Sequence, residues 1–368
     1  MTLDCGTASA APGTVDRGWL DATELPTGTA ERLPVLLVNG AADGPTLWIT
    51  AGVHGDEVTG LAAAQDAVDA LPADHLAGAV VCLPSVNPAG LRRTARRSYY
   101  HDDDPNRSFP DPAGDRTEPP NAQTLVARRL YDRFAEGPLA ADALLDLHTA
   151  GVGAAPFVIR DRVLYGERRD ETAAQALATA TEALVESLGL PVVTEFPPET
   201  YVERNLQRSL AGAALNGAGV PACTLELGGP DVVDERRRRL GVAAVCRAAV
   251  EAGCLDAVPA AAPDVTAESP VDFPVRRHRG PRVDEPGVLR STLEAGEPFA
   301  EGDDAATVVS PTGERRETLT FDRDGYVLGR ATGVAAYEND PAYSLAVRDE
   351  GALVAPRDAD EADDDADG

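Results

Sequence analysis

Four residues stand where apolar, strand-like runs end, and their types can do chemistry together. His54 and Glu57 lie three apart in AGVHGDEVTG (51–60), just after the run TLWIT. His148 ends ALLDLH and is followed by Thr149 and Gly151. In an open α/β sheet the carboxyl ends of neighbouring strands meet at one crevice, where ligands bind. Two imidazoles and one carboxylate gathered there, with a fourth position open, form a common catalytic zinc set. Asp146, two residues before His148, could orient an imidazole from behind. A metal-activated water also needs a general base, and Glu226 in ACTLELGGP ends another apolar run. A carboxylate near a core is costly without a purpose. On residue types alone each has a plainer alternative: an H-x-x-E pair suits any polar loop, and Glu226 could cap the turn that follows.

The elements that would position these residues are legible in the text. LPVLLVNG, TLWITAG, AGAVVCLP, ADALLDLH, APFVIR and PACTLELGG read as strands. Between them VTGLAAAQDAVDAL, AQTLVARRLYDRFAE, TAAQALATATEALVESLG and VVDERRRRLGVAAVCRAAVEAG carry helical spacing. Such alternation predicts an α/β fold with a mixed, mainly parallel sheet covered by helices on both faces. The divisions expected are an N-terminal extension (1–33), a catalytic domain (34–255) and a Pro/Ala-rich linker (256–274). A small all-β domain of barrel-sandwich kind (275–355) and an acidic, disordered tail (356–368) complete them. The four-arginine run at 236–239 reads as a solvated helix face.

Composition removes several function classes. The chain has 368 residues, 43% of them apolar, and a formal charge of −28, enough for a large core beneath an acidic surface. That surface argues against nucleic acid and anionic membranes as partners. No lysine is present, so a Walker-type phosphate loop and a pyridoxal Schiff base are excluded. High acid content without lysine points to a halophilic source, where salt screens charge repulsion. The five cysteines form no C-x-x-C pair, which supports neither a disulfide framework nor a cysteine zinc site. Of the remaining histidines, His75 and His278 read as ordinary surface residues. The opening residues show no basic-then-apolar leader and no apolar run reaches bilayer length, so the cytoplasm is the expected compartment.

GVHGDE, NPAGLR, DPNRSFP, DLHT and TLELGG occur in that order across roughly residues 34–255. In this the chain resembles the succinylglutamate desuccinylase/aspartoacylase family of the zinc carboxypeptidase superfamily, whose small C-terminal β domain also fits. The resemblance implies one zinc ion per chain, held by His54, Glu57 and His148, with Glu226 as general base and acid. It implies that Asn106 and Arg107 meet a substrate carboxylate, although Pro105 stands where the family usually has leucine. Arg96 or Arg97, with spacing favouring Arg96, would polarise the scissile carbonyl, and Arg208 would bind a carboxylate. Arginine's planar fork suits both tasks.

The function expected is a zinc-dependent amidohydrolase acting on a linear amide, a deacylase of small N-acyl amino acids bearing a carboxylate. A carboxypeptidase acting on peptides and a non-catalytic zinc-binding protein are the alternatives. Acetyl, succinyl and diaminobutyrate-type substrates are not separated by the sequence, and homo-oligomerisation is left open.

Overall fold

A computed structural model of the chain describes residues 1–112, 119–151, 153–166, 168–331 and 333–357. Its centre is a twelve-stranded sheet. In chain order its first eight strands are β1 (Thr14–Glu24), β2 (Ala30–Asn39), β3 (Ala42–Ala51), β4 (Ala77–Leu83), β5 (Ala143–His148), β6 (Phe157–Arg160), β7 (Val192–Thr194) and β8 (Ala222–Glu226). The middle strands β3, β5 and β8 run parallel, whereas β6 runs antiparallel to β8. Every residue of β5 is buried, which is why ALLDLH reads as a continuous apolar run and not as an alternation. The segment 1–33 carries β1, which pairs with β2 at the sheet's edge.

Four long helices cover the sheet: α1 (Val58–Ala70), α2 (Ala122–Ala135), α3 (Glu171–Ser187) and α4 (Glu235–Glu251). Each of the last three begins on a side chain that accepts from a free helical N–H. Asn121 receives Thr124, Asp170 receives Ala173, and Asp234 receives Arg237. One face of the sheet packs on α1 and α4 through residues such as Ala63, Ala67, Leu147, Leu225, Leu240 and Val245. The other face packs on α2 through Val126, Leu130 and Phe134 beneath Trp48. Alanine-rich faces let these helices lie close to the strands, and truncating a fully buried Leu147 to Ala costs about 2–5 kcal/mol.

Residues 256–274 contain neither helix nor strand. After them the chain is all β, with β9 (Val275–Arg282), β10 (Gly287–Ser291), β11 (Pro298–Phe299), β12 (Asp304–Val309), β13 (Arg315–Thr320), β14 (Gly325–Arg330), β15 (Ala335–Ala336) and β16 (Pro341–Arg348). Half of these strands extend the central sheet, whose order is β11-β14-β16-β9-β7-β6-β8-β5-β3-β4-β2-β1. The junction is a parallel bridge between Thr194 of β7 and Arg276 of β9. The other four form a separate sheet, β13-β12-β10-β15, over a core holding the stacked rings of Phe299 and Phe321. The acidic run from residue 358 onward, expected as a disordered tail, lies outside the described residues. No helix among the described residues is long and apolar enough to cross a membrane.

Candidate metal centre and active site

The register of three strands fixes the centre. Glu226 on β8 is the direct partner of His148 on β5, and Ala51 at the end of β3 is the partner of Leu147. The chain leaving β3 turns at Gly52, whose φ of +63° is left-handed and suits glycine. It then passes the backbone of Gly90 so closely that a Cβ on Gly55 would lie 2.1 Å from a carbonyl carbon. Both glycines are therefore needed, the first for its dihedral and the second for lack of a side chain. This turn delivers His54 and Glu57 beside His148 before α1 begins.

His54, Glu57 and His148 are all buried, and one ligand atom from each lies within 4.8 Å of the others. Glu57 bridges the imidazoles, with Oε1 2.7 Å from His54 Nδ1 and Oε2 2.8 Å from His148 Nδ1. The Thr149 N–H also donates to Oε2 at 3.0 Å. Behind the rings, His148 Nε2 faces Asp146 at 2.6 Å and His54 Nε2 faces Asp104 at 3.0 Å. Asp146, completely buried, also accepts from the Thr50 hydroxyl at 2.8 Å. With each Nε2 turned to a carboxylate, each Nδ1 is aimed inward, the arrangement that imidazole metal ligands adopt. Burial alone would depress both imidazoles. Asp146 and Glu57 more than offset it for His148, as Glu57 and Asp104 do for His54, so both rise above the ordinary histidine value. The centre thus favours positive charge, and this donor set fits zinc.

Around it opens a cavity of about 740 Å³. Glu226 lines it, with Oε2 sealed from solvent and without a hydrogen-bond partner among the described residues. Burial, reinforced by Glu57, raises its carboxyl above the ordinary range against the pull of His148, Arg277 and His54. Arg96 reaches in from the solvent side, touching Glu57 Oε1 and Asp104 Oδ2 at 3.1 Å each. Asn106 and Arg107 line the wall from a single helical turn, Pro105–Arg107, capped by Asp104, which accepts from the Asn106 N–H at 2.9 Å. Asn106 Oδ1 receives the Leu210 N–H at 2.8 Å. Two expected residues stand apart. Arg97 is exposed and donates to the Asp102 carbonyl, and Arg208 lies 3.9 Å from Asp111; neither lines the cavity. Asp56, also in the lining, does not cap α1, and its buried Oδ1 has no partner among the described residues.

Residues that were not singled out from the sequence form the far end of the cavity. Asp161 follows β6, Glu195 follows β7, and Arg277 and Arg279 sit two apart on one face of β9. Leu328, Arg330, Ala336 and Tyr343 from the C-terminal strands close the cavity over. Asp161 carried the same signal as Glu226, a charge ending an apolar run. Arg277 lies in VRRHRG, where periodicity does not show which arginine turns inward.

The fold is a mixed α/β sheet under helices with added C-terminal strands, and the site is a buried two-histidine, one-glutamate cluster beside the buried Oε2 of Glu226. Residues 43–249 match the succinylglutamate desuccinylase/aspartoacylase catalytic domain, and the chain belongs to that family. It is 34% identical over 125 residues to the N-alpha-acetyl-L-2,4-diaminobutyric acid deacetylase of Halomonas elongata, a stretch covering 33% of each chain. A succinylglutamate desuccinylase/aspartoacylase structure from Rhodobacter sphaeroides shares the fold with a TM-score of 0.70 at 23% identity, over 92% of this chain and 96% of that one. The product-bound ectoine utilization protein EutE (DoeB) from Ruegeria pomeroyi gives 0.67 at 21%, over 92% and 96%.

Proposed function

We propose that this protein is a zinc-dependent amidohydrolase that removes the acyl group from a small N-acyl amino acid. The observation that carries the reading is the pairing of Glu226 with His148 across β8 and β5, beside a two-histidine, one-glutamate set. A zinc ion held by His54, Glu57 and His148 would supply Lewis acidity to the carbonyl and lower the pKa of a water.

The chain's own residues do the rest. Arg107, with Asn106 beside it, holds the substrate carboxylate and so fixes the amide against the centre. Arg96 faces the carbonyl oxygen and stabilises negative charge as it grows there. Glu226 takes a proton from the attacking water on its unpartnered Oε2 and passes it to the leaving amine, a transfer favoured by its raised affinity for protons. The roof of C-terminal strands favours a small substrate over a peptide, against the carboxypeptidase alternative. Glu226 in turn speaks against a purely binding role.

Glu226→Gln should retain zinc, measured by elemental analysis, and lower kcat toward N-acetyl or N-succinyl amino acids by about 10³-fold or more. A variant as active as the parent would sink the mechanism.

A further inference from the structure

The cavity continues past the metal centre along the shared face of β6 and β8. Phe157 is the partner of Glu226 and Ile159 the partner of Thr224, and Ile159 and Thr224 both line the cavity. Asp161 is the next residue of this alternation. It lies four positions beyond Phe157, about 13 Å along an extended chain from the level of Glu226. There it closes the far end, only 3% exposed.

Around Asp161 the Tyr201 hydroxyl offers a hydrogen bond, but no guanidinium among the described residues is paired with the carboxyl. Its neighbours are Glu195 after β7, Tyr201 on the helical turn Pro198–Glu203, Arg277 on β9 and Arg107 on the opposite wall. Arg277 is already taken, with Nη1 bonded to both oxygens of Glu195 at 2.7 and 3.1 Å. Arg162, next in sequence, turns away to the Phe196 and Ala352 carbonyls and to Asp349. Arg107 donates to the Arg204 and Asn106 carbonyls at 3.1 and 2.6 Å. Among the described residues Asp161 makes no ion pair. Burial, then Glu195, pushes its carboxyl up to about 8, against the weaker pull of Tyr201, Arg277 and Arg107. A buried carboxyl left without a cation costs stability, and a cation arriving from the cavity removes that cost.

We infer that Asp161 is the specificity-determining residue of this site, reading an ammonium group at the end of the substrate's side chain. This rests on the deacylase reading and narrows it: the amino acid released is a diamino acid, its α-carboxylate at Arg107 and its side-chain ammonium at Asp161. Glu195 does not share the task, since Arg277 and the Phe196 N–H occupy it. An acidic side chain would meet the unpaired Asp161 carboxyl here.

The test uses the zinc-loaded full chain and two readouts. In turnover, Nα-acetyl derivatives of 2,4-diaminobutyrate, ornithine and lysine are compared with uncharged side chains of matching length. At least one ammonium substrate should exceed its uncharged counterpart in kcat/KM on the order of a hundredfold, and Asp161→Asn should collapse that ratio toward one. In calorimetry, the free diamino acid should bind the parent at pH 7 with proton release, as the carboxyl ionises against it, and the variant should show no such release. Equal turnover of charged and uncharged substrates by the parent, or a ratio unchanged in the variant, overturns the proposal even if Asp161→Asn fails to fold, since the first comparison needs no variant. If no amide is cleaved, the deacylase reading falls, and the Asp161-dependent proton release alone decides whether an ammonium site exists.

Discussion

The two ends of the cavity are built on opposite electrostatic plans. At the metal end, two imidazoles face one carboxylate and two further carboxylates back them, so the site is arranged for a cation held at short range. At the far end, Arg277 and Glu195 pair with each other, while Asp161 and Arg279 line the cavity without an ion pair among the described residues. The first plan concentrates charge for chemistry. The second ties one pair of charges into structure and leaves groups of both signs facing the ligand, Asp161 among them.

Arg96 gives the sharpest way to break this contrast, because it belongs to the metal end by contact while its neighbour does not. Arg96→Ala should lower kcat about 10²–10³-fold, the cost of losing one oxyanion donor. Arg97→Ala, removing a guanidinium whose contact is the Asp102 carbonyl, should stay within about threefold. Equal losses in the two variants would show that the loop 92–107, not the Arg96 contact, carries the effect.

A smaller effect separates metal holding from recognition. Asp146→Asn removes the acceptor 2.6 Å from His148 Nε2 and should weaken zinc about 10–100-fold in a chelator competition. Asp161→Asn should leave zinc affinity where it was. A shared loss would mean that the two ends are one coupled charge network.

How much of this was legible follows from the distances in sequence that each feature spans. His54, Glu57, His148 and Glu226 announce themselves because each closes an apolar run, and a strand's end is a local property. Sheet class and helices were legible for the same reason: ALLDLH and VTGLAAAQDAVDAL carry their periods within a few residues. The choice between Arg96 and Arg97 was legible only as a lean of spacing toward Arg96, since the loop between Leu91 and Pro105 has no period to say which way a side chain points. The far end was not legible. Asp161, Glu195 and Arg277 meet because β9 joins β7 at Thr194 and Arg276, a pairing that no spacing encodes. The continuation of the central sheet by the C-terminal strands stayed hidden for that reason too.

The smallest effect concerns stability. In the folded chain Asp161 holds its proton up to about 8, whereas an unfolded aspartate releases it near 4. Between those values the folded state binds the extra proton, so stability conferred by the protonated carboxyl is present below about 4 and lost progressively as pH rises toward 8. Asparagine cannot ionise, so Asp161→Asn should remove this slope. Without ligand, the variant should match the parent near pH 4.5 and exceed it at pH 8.5 on the order of 1–3 kcal/mol in denaturant unfolding. The same variant is the one expected to lose discrimination, so stability and selectivity should move in opposite directions. A variant less stable than the parent at pH 8.5 would mean that Asp161 is ionised and paired within the fold, and the far end would then have no carboxyl to spare for a ligand.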